Sequence, residues 1–154
     1  MQDVTRVRPG FPLPDTDWGP TREFWAGAAR HELRIPRCDA CGALAWYPRA
    51  RCRACRGEAF TWALTSGRGS LFSWAVVTHP FLPEFATLVP FVPALVALED
   101  DPAVRLVTRL VECEPDQLTF DLPLHVVFRP LQYTGVEGSV PAPFFRPVPS
   151  RGGR

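Results

Sequence analysis

The sequence predicts a mainly β protein with three parts: a short N-terminal helix, a cysteine-rich metal-binding ribbon and a small C-terminal β-barrel. Two Cys-x-x-Cys pairs predict the ribbon, and a series of short apolar, β-branched segments after residue 60 predicts the barrel. The 154 residues, 46% of them hydrophobic, are enough for one or two small domains. The predicted boundaries are 1–20 for an arm, 21–36 for the helix, 37–59 for the ribbon, 60–148 for the barrel and 149–154 for a tail.

The arm contains six prolines and glycines within residues 1–20. Proline cannot lie inside a helix or a central strand, so this segment is predicted to be extended. Phe11, Leu13 and Trp18 are its candidates for contact with a partner.

A helix is predicted from Thr21 to Leu33, with Pro20 just before its first residue and Pro36 as its stop signal. Phe24 and Trp25 are adjacent, and no second helix is predicted nearby. Either the ribbon or a partner must therefore cover these two rings.

The two cysteine pairs are separated by ten residues and are followed by Gly42 and Gly57, which are predicted to supply flexible backbone after each pair. Each pair can share one tight turn, so that four thiolates converge on one zinc ion and leave no open position for water. That is a structural site, and residues 44–47 are predicted to form the inner strand of the ribbon. The predicted ligands are Cys38, Cys41, Cys52 and Cys55.

Two other interpretations of these cysteines exist, namely disulfides and a rubredoxin-like iron site. The N-terminus, Met-Gln-Asp-Val-Thr-Arg, has no apolar run of the kind found in a signal peptide. We therefore expect a cytoplasmic protein, in which thiols stay reduced. The fifth cysteine, Cys113, is interpreted as a small hydrophobe at a strand end.

The barrel prediction depends on five short strands and one helical turn at 114–118. The count and length fit a five-stranded OB-fold, and a fragment of a β-sandwich is the alternative. Segment 80–90 is predicted to be a loop with apolar contents, and 141–149 a proline-spaced tail. Phe72 and Trp74 are predicted to pack in the core. The predicted strands are 60–64, 71–79, 93–99, 104–111 and 124–131.

Seven arginines lie between Arg30 and Arg56, against two acids. One interpretation is a solvated surface near the negatively charged thiolates. The other is a binding site for a phosphate-bearing ligand or an acidic partner.

No catalytic constellation is evident from the sequence. His31, His79 and His125 lie in different predicted elements, and none is paired in sequence with a serine or cysteine nucleophile in a known arrangement. His79 has the best position, although capping or packing is the favoured role for it.

The ordered motifs resemble bacterial and archaeal proteins that join a rubredoxin-like zinc ribbon to an OB-fold, long catalogued as a domain of unknown function. The resemblance covers about residues 20 to 148. Its motifs are Phe24-Trp25-x-Gly27, Cys38-x-x-Cys41-Gly42, Pro48-x-x-x-Cys52-x-x-Cys55, Ser66-Gly67-Arg68-Gly69-x-x-x-Ser73 and Pro143-Phe144-Phe145-Arg146-Pro147.

This resemblance implies a non-catalytic subunit with one structural zinc ion. Similar proteins accompany thiolase-superfamily enzymes, such as steroid side-chain aldolases and acyltransferases, or MaoC-type hydratases with a hot-dog fold. They brace the partner and help to form the acyl-CoA channel. We accordingly expect an accessory role in lipid or steroid metabolism. The candidate ligand-binding residues are Arg49, Arg51, Arg68 and His79, and the candidate partner-binding residues are Phe24, Trp25, Phe81 and Phe85.

Two other functions remain as alternatives. The first is binding of single-stranded nucleic acid, against which the net charge of +1 and the absence of lysine-rich tracts both argue. The second is a small hydrolase that uses His79 as its base.

Overall fold

The computed structural model describes residues 8–149, so the first seven residues of the predicted arm and residues 150–154 lie outside the description. One α-helix precedes seven strands, and short 3-10 turns lie at 19–21, 83–85 and 115–117. The elements are α1 (Arg22–Ala29), β1 (Arg34–Cys38), β2 (Phe60–Leu64), β3 (Arg68–Trp74), β4 (Val92–Leu98), β5 (Arg105–Leu110), β6 (Pro123–Leu131) and β7 (Val140–Pro147).

The helix ends at Ala29, so the prediction that it extends to Leu33 was wrong. His31 has a φ of 60°, and the amide groups of His31 and Glu32 donate to the carbonyls of Ala28 and Gly27. This is a Schellman motif with histidine in the left-handed position that glycine usually occupies. The chain then turns directly into β1, which contains Pro36.

Strands β1 and β2 form a separate antiparallel sheet, with a register that runs from Arg34 opposite Leu64 to Cys38 opposite Phe60. The metal-binding segment is the connection between these two strands. The predicted inner strand at 44–47 is not a strand, because its only bridge joins Leu44 to Arg37.

The barrel is closed by β3, β4, β5, β7 and β6, in that spatial order. Five strands were predicted, but two assignments need correction. Segment 60–64 belongs to the β1–β2 sheet, and the predicted proline-spaced tail is strand β7. Phe145 of β7 is fully buried and Phe144 is 3% exposed, so the barrel itself covers both rings. Seam β5–β7 is parallel and the other four pairs are antiparallel.

The predicted barrel strands 93–99, 104–111 and 124–131 and the predicted helical turn at 114–118 agree with the structure to within one residue at each end. Strand β3 differs, because it begins at Arg68 and ends at Trp74 instead of spanning 71–79. Leu71 points into the core, whereas Phe72 faces outward and is 39% exposed. The prediction that Phe72 packs in the core was therefore wrong, while Trp74 does pack against the core.

The ribbon, the helix and the barrel contact one another at several points. The ring of Phe24 in α1 lies 4.6 Å from that of Trp46 in the ribbon. The amide of Leu44 donates to the carboxylate of Asp101 in the β4–β5 turn. The only α-helix in residues 8–149 has eight residues, and no helix there is long and apolar enough to cross a membrane.

Candidate functional site

The four cysteines come from two turns that share one backbone pattern. In the first turn, the amide of Cys38 donates to Ala43 and the amide of Gly42 donates back to Cys38. In the second turn, the amide of Cys52 donates to Gly57 and that of Arg56 donates back to Cys52. The repeated turn brings the two sulfurs of each pair to one side of the backbone. Strand β1 fixes the first turn, because Cys38 is its last residue.

The four sulfur atoms fit one tetrahedral metal ion. They all lie within 4.8 Å of one another. The Sγ atoms of Cys38 and Cys55 are 3.5 Å apart, and those of Cys41 and Cys52 are 3.6 Å apart. A tetrahedral zinc ion with Zn–S bonds of about 2.3 Å has sulfur–sulfur edges of about 3.8 Å. The disulfide interpretation does not hold, because these cysteines are unbridged.

The ionisation of the thiols also favours a cation at their centre. Backbone groups of Cys55 and Ala54 lower the pKa of Cys52 to about 7. The backbone of Ala43 acts in the same direction on Cys41, but the Cys55 thiol and burial outweigh it and raise the pKa of Cys41 to about 12. Four crowded thiols cannot all ionise unless a metal ion neutralises their charge.

Two glycines were predicted to supply backbone flexibility after the cysteine pairs, and only one does so through its φ angle. Gly42 has a φ of 75°, whereas Arg56 takes the equivalent position in the second turn with a φ of 65°. Gly57 has a different role. A Cβ at this position would lie 3.3 Å from the Sγ of Cys55 and 3.4 Å from that of Cys38, so glycine leaves room for the sulfur cluster.

The arginines of the ribbon do not act as one patch. Arg51 is paired with Glu58 at 2.8 Å. Arg49 donates to the carbonyls of Trp46 and Tyr47. Together with Arg53, it lines a cleft of about 180 Å³ between the ribbon and the β4–β5 turn.

The other two candidate ligand-binding residues lie on the barrel. Arg68, at the start of β3, is paired with Glu99. His79 is exposed in the β3–β4 loop, and its Nδ1 lies 3.1 Å from the hydroxyl of Thr78. Arg49, Arg68 and His79 line three different cavities.

The four candidate partner-binding residues differ in exposure. Phe24 is 5% exposed, because the ribbon covers it through Trp46, so little of this ring is left for contact with a partner. Trp25 is partly buried at the edge of the same cluster. Phe81 is 92% exposed at the tip of the β3–β4 loop, and Phe85 is half-buried at its base.

Sequence reasoning missed a row of aromatic contacts that runs from the arm to the helix. The ring centroids are 5.9 Å apart for Trp18 and Tyr47, 5.3 Å for Tyr47 and Trp46, and 5.0 Å for Phe24 and Trp25. The tryptophans before the helix and between the cysteine pairs were the available signal. These contacts hold the arm against the ribbon, while Trp18 itself remains 47% exposed.

Two family models match adjoining parts of the chain. The rubredoxin-like zinc ribbon domain of ChsH2 matches residues 25–61, and the C-terminal OB-fold domain of ChsH2 matches residues 62–129. The metal centre described above lies within the first match, and four of the five barrel strands begin within the second.

Similar proteins come from archaea and bacteria. A DUF35 domain-containing scaffold protein of Methanothermobacter thermautotrophicus is 31% identical over 77% of this chain and 88% of its own length. A probable enoyl-CoA hydratase alpha subunit of Thermomonospora curvata is 34% identical over 81% of this chain, but only 37% of its own length. The 3-oxo-4,17-pregnadiene-20-carboxyl-CoA hydratase alpha subunit of Mycobacterium tuberculosis is 34% identical over 70% of this chain and 33% of its own.

Two solved structures share the fold. A chain of the Ltp2-ChsH2(DUF35) aldolase superposes with a TM-score of 0.70 at 30% identity, over 87% of this chain and 98% of that chain. A DUF35 protein of unknown function from Sulfolobus solfataricus has a TM-score of 0.54 at 12% identity, over 71% of this chain and 78% of that chain. The chain therefore belongs to the ChsH2-type DUF35 family, in which a rubredoxin-like zinc ribbon precedes an OB-fold.

Proposed function

We propose that this chain is a non-catalytic accessory subunit that braces a thiolase-superfamily enzyme, of the aldolase or acyltransferase type, and helps it to bind acyl-CoA. The observation that carries the proposal is the likeness to a chain of the Ltp2-ChsH2(DUF35) aldolase over 98% of that chain. Two further relatives are named as hydratase alpha subunits. These names support a hydratase as the other kind of partner, and the resemblance stated above implies that it would be of the MaoC type.

The metal centre supports a structural role for the ribbon. Four cysteine ligands complete a tetrahedral sphere, so that no position is left for substrate or water. In this proposal zinc holds the two turns in place and does no chemistry itself.

The β3–β4 loop is our proposed partner contact on the barrel. Its base is fastened to the β6–β7 loop, because the amide of Thr134 donates to the carbonyl of Glu84 and the hydroxyls of Thr87 and Thr134 lie 2.8 Å apart. Its tip presents Phe81, which is 92% exposed. An aromatic ring on a fastened loop loses little entropy when it is buried by a partner. Trp25 is a second candidate contact.

The cleft that contains Arg49 is our proposed contact for the CoA phosphates. Arg49 and Arg53 line it without an ion pair to any residue in 8–149, whereas Arg51 and Arg68 are each paired with a glutamate. Exposed ion pairs contribute little stability, so Arg51 and Arg68 can exchange their glutamates for a phosphate. His79 belongs to the proposed partner loop, and in this proposal it would meet the acyl end of the ligand.

The test is a pull-down of the tagged protein from its native host, with zinc measured in the same sample. We expect a thiolase-like or hydratase-like subunit at fixed stoichiometry and about one zinc ion per chain. Recovery of the chain without an enzyme subunit would contradict the accessory role. With the partner in hand, we expect the Arg49→Ala, Arg51→Ala double variant to weaken acyl-CoA binding by the complex. Unchanged affinity would remove the CoA part of the proposal and leave the accessory role intact.

A second candidate function is binding of single-stranded nucleic acid. It is favoured by one observation, the guanidinium of Arg105, which lies 3.7 Å from the ring centroid of the outward-facing Phe72. Alternating bases and aromatic rings on a barrel face suit stacked nucleotides. Salt-dependent oligonucleotide binding that is lost in Phe72→Ala would support this function over the first.

A further inference from the structure

Three arginines of residues 8–149 are partly buried, namely Arg34, Arg49 and Arg109. The first two have hydrogen-bond acceptors within the chain. Arg34 donates to a carboxylate and a carbonyl, and Arg49 donates to two carbonyls. The side chain of Arg109 has no such acceptor in the described residues, and burial lowers its pKa. A guanidinium has five N–H donors, and those of Arg109 are free for an acceptor from outside residues 8–149.

The surroundings hold Arg109 in a defined position. Its Cζ atom lies 4.7 Å from the ring centroid of Phe144, which is 3% exposed. Arg109 of β5 lies opposite Pro93 of β4. This pair is at the end of the barrel where the β3–β4 loop joins β4. Contact with an aromatic face fixes the guanidinium plane and leaves the N–H groups at its edge free to donate.

Tyr133 provides a second donor beside it. Burial raises the pKa of the Tyr133 hydroxyl, and the charge of Arg109 acts against that effect. The hydroxyl therefore stays protonated near neutral pH. It forms no hydrogen bond with another residue in 8–149, so that one cationic and one neutral donor face the same end of the barrel without an acceptor.

An apolar cavity adjoins these two donors through Phe85. The ring of Phe85 lies 5.2 Å from that of Tyr133 and 6.0 Å from that of Phe91. Phe85 also lines a cavity of about 230 Å³. Apart from His79, the lining residues are Val77, Pro80, Phe81, Leu82, Phe85 and Phe91.

We propose that this end of the barrel binds an amphipathic carboxylate, with its charged group on Arg109 and Tyr133 and its apolar body in the cavity beside Phe85. A carboxylate matches the guanidinium fork and carries one charge. A phosphate monoester carries nearly two charges, whereas the guanidinium of Arg109 carries one. The inference goes beyond the proposed accessory role, although its cavity shares His79, Phe81 and Phe85 with the proposed partner loop. Titration of the chain without a partner tests it separately.

The test is calorimetric titration of the full zinc-loaded chain with sodium decanoate below its micelle concentration. Decanol and inorganic phosphate are the matched probes, because each has only one half of the ligand. We expect decanoate to bind at least about tenfold more tightly than either, since a hydrogen bond to a charged group is worth roughly a factor of ten or more. Equal affinity for decanoate and decanol, preference for phosphate, or no decanoate binding would each overturn the proposal.

Four variants assign the effect to these residues. Arg109→Gln is expected to weaken decanoate binding by about tenfold, and Tyr133→Phe, which removes one oxygen atom, by about threefold. Arg105→Gln is the matched control on the same face of β5 and is expected to stay within about twofold. Glu84→Gln removes a negative charge from the β3–β4 loop. This variant is expected to bind decanoate as tightly as the unaltered chain or more tightly. An equal loss in Arg105→Gln and Arg109→Gln, or weaker binding by Glu84→Gln, would contradict the site.

Discussion

The carbonyl of Leu33 accepts two hydrogen bonds from Thr65, one from the amide and one from the hydroxyl, each 2.9 Å long. Leu33 precedes β1 and Thr65 follows β2, so this buried pair closes the β1–β2 sheet at the end remote from the metal. The Thr65→Val variant removes only the hydroxyl, and the carbonyl keeps the amide donor. We expect the free energy of unfolding to fall by about 1 kcal/mol in denaturant titrations. Thr61→Val, at an exposed position of β2, is the control, and an equal loss there would refute the assignment.

The four-cysteine site predicts a selective loss of metal. Cys52→Ser is expected to reduce zinc, measured by mass spectrometry of the purified chain, to well below one ion per chain, because serine does not supply a thiolate. Cys113→Ser is the control, since Cys113 lies outside the cluster. Full zinc in Cys52→Ser would show that this cysteine is not a ligand, and iron in place of zinc would identify the site as rubredoxin-like.

Gly42 and Arg56 take equivalent positions in the two cysteine turns, both with a positive φ. We therefore expect loss of the glycine to destabilise the first turn and gain of a glycine not to destabilise the second. A Cβ on Gly42 would meet nothing within 4 Å, so the cost of Gly42→Ala comes only from its φ of 75°. We expect a loss of about 1–2 kcal/mol of stability. Arg56→Gly relieves the same strain and is expected to be neutral or to stabilise by up to about 1 kcal/mol. Thermal unfolding of both zinc-loaded variants is the measurement, and destabilisation by Arg56→Gly would contradict the argument.

The burial of Phe145 predicts that β7 is essential to the barrel. Phe145→Ala is expected to cost about 3–5 kcal/mol in chemical denaturation, because a fully buried ring leaves a cavity. Val107→Ala, at a position that is 73% exposed, is expected to change stability by less than about 0.5 kcal/mol. A small effect of Phe145→Ala would mean that residues 140–147 do not form a barrel strand.

The exposed ring of Phe81 predicts a loss of partner binding without a loss of stability. Phe81→Ala is expected to weaken capture of the enzyme subunit by at least about tenfold and to leave the melting temperature unchanged. The matched control is Phe120→Ala, since Phe120 is 72% exposed elsewhere on the barrel. Equal capture by both variants would remove the β3–β4 loop from the interface.

The metal centre was predictable from sequence because two turns and four sulfurs are specified by spacing alone. Strand β7 was not, because Pro141, Pro143 and Pro147 argued against a strand. The structure explains the exception. Strand β7 pairs with β6 over eight residues but with β5 at a single residue pair, so one edge of β7 needs few N–H donors. The role of β7 in closing the barrel thus depends on pairing with strands distant in sequence. The proline content of the segment does not reveal that pairing.

The helix end and the arginine clusters show a second limit of sequence reasoning. His31 takes a left-handed position without the glycine that would have marked it. Arg109 lies alone in sequence, outside the concentration of arginines in the ribbon, and no sequence pattern marks it. Its importance comes from burial and from the absence of an acceptor, and neither is visible before the chain is folded.

The register of β1 and β2 has a consequence for how the ribbon assembles. Cys38 is both the last residue of β1 and a metal ligand, and it lies opposite Phe60. Strand pairing and metal binding therefore both close the segment that connects β1 to β2. Loop-closure entropy grows with the logarithm of loop length, so whichever closure forms first shortens the free loop left for the other. Strand pairing and metal uptake are thus coupled steps, because each brings together the chain segments that the other one joins.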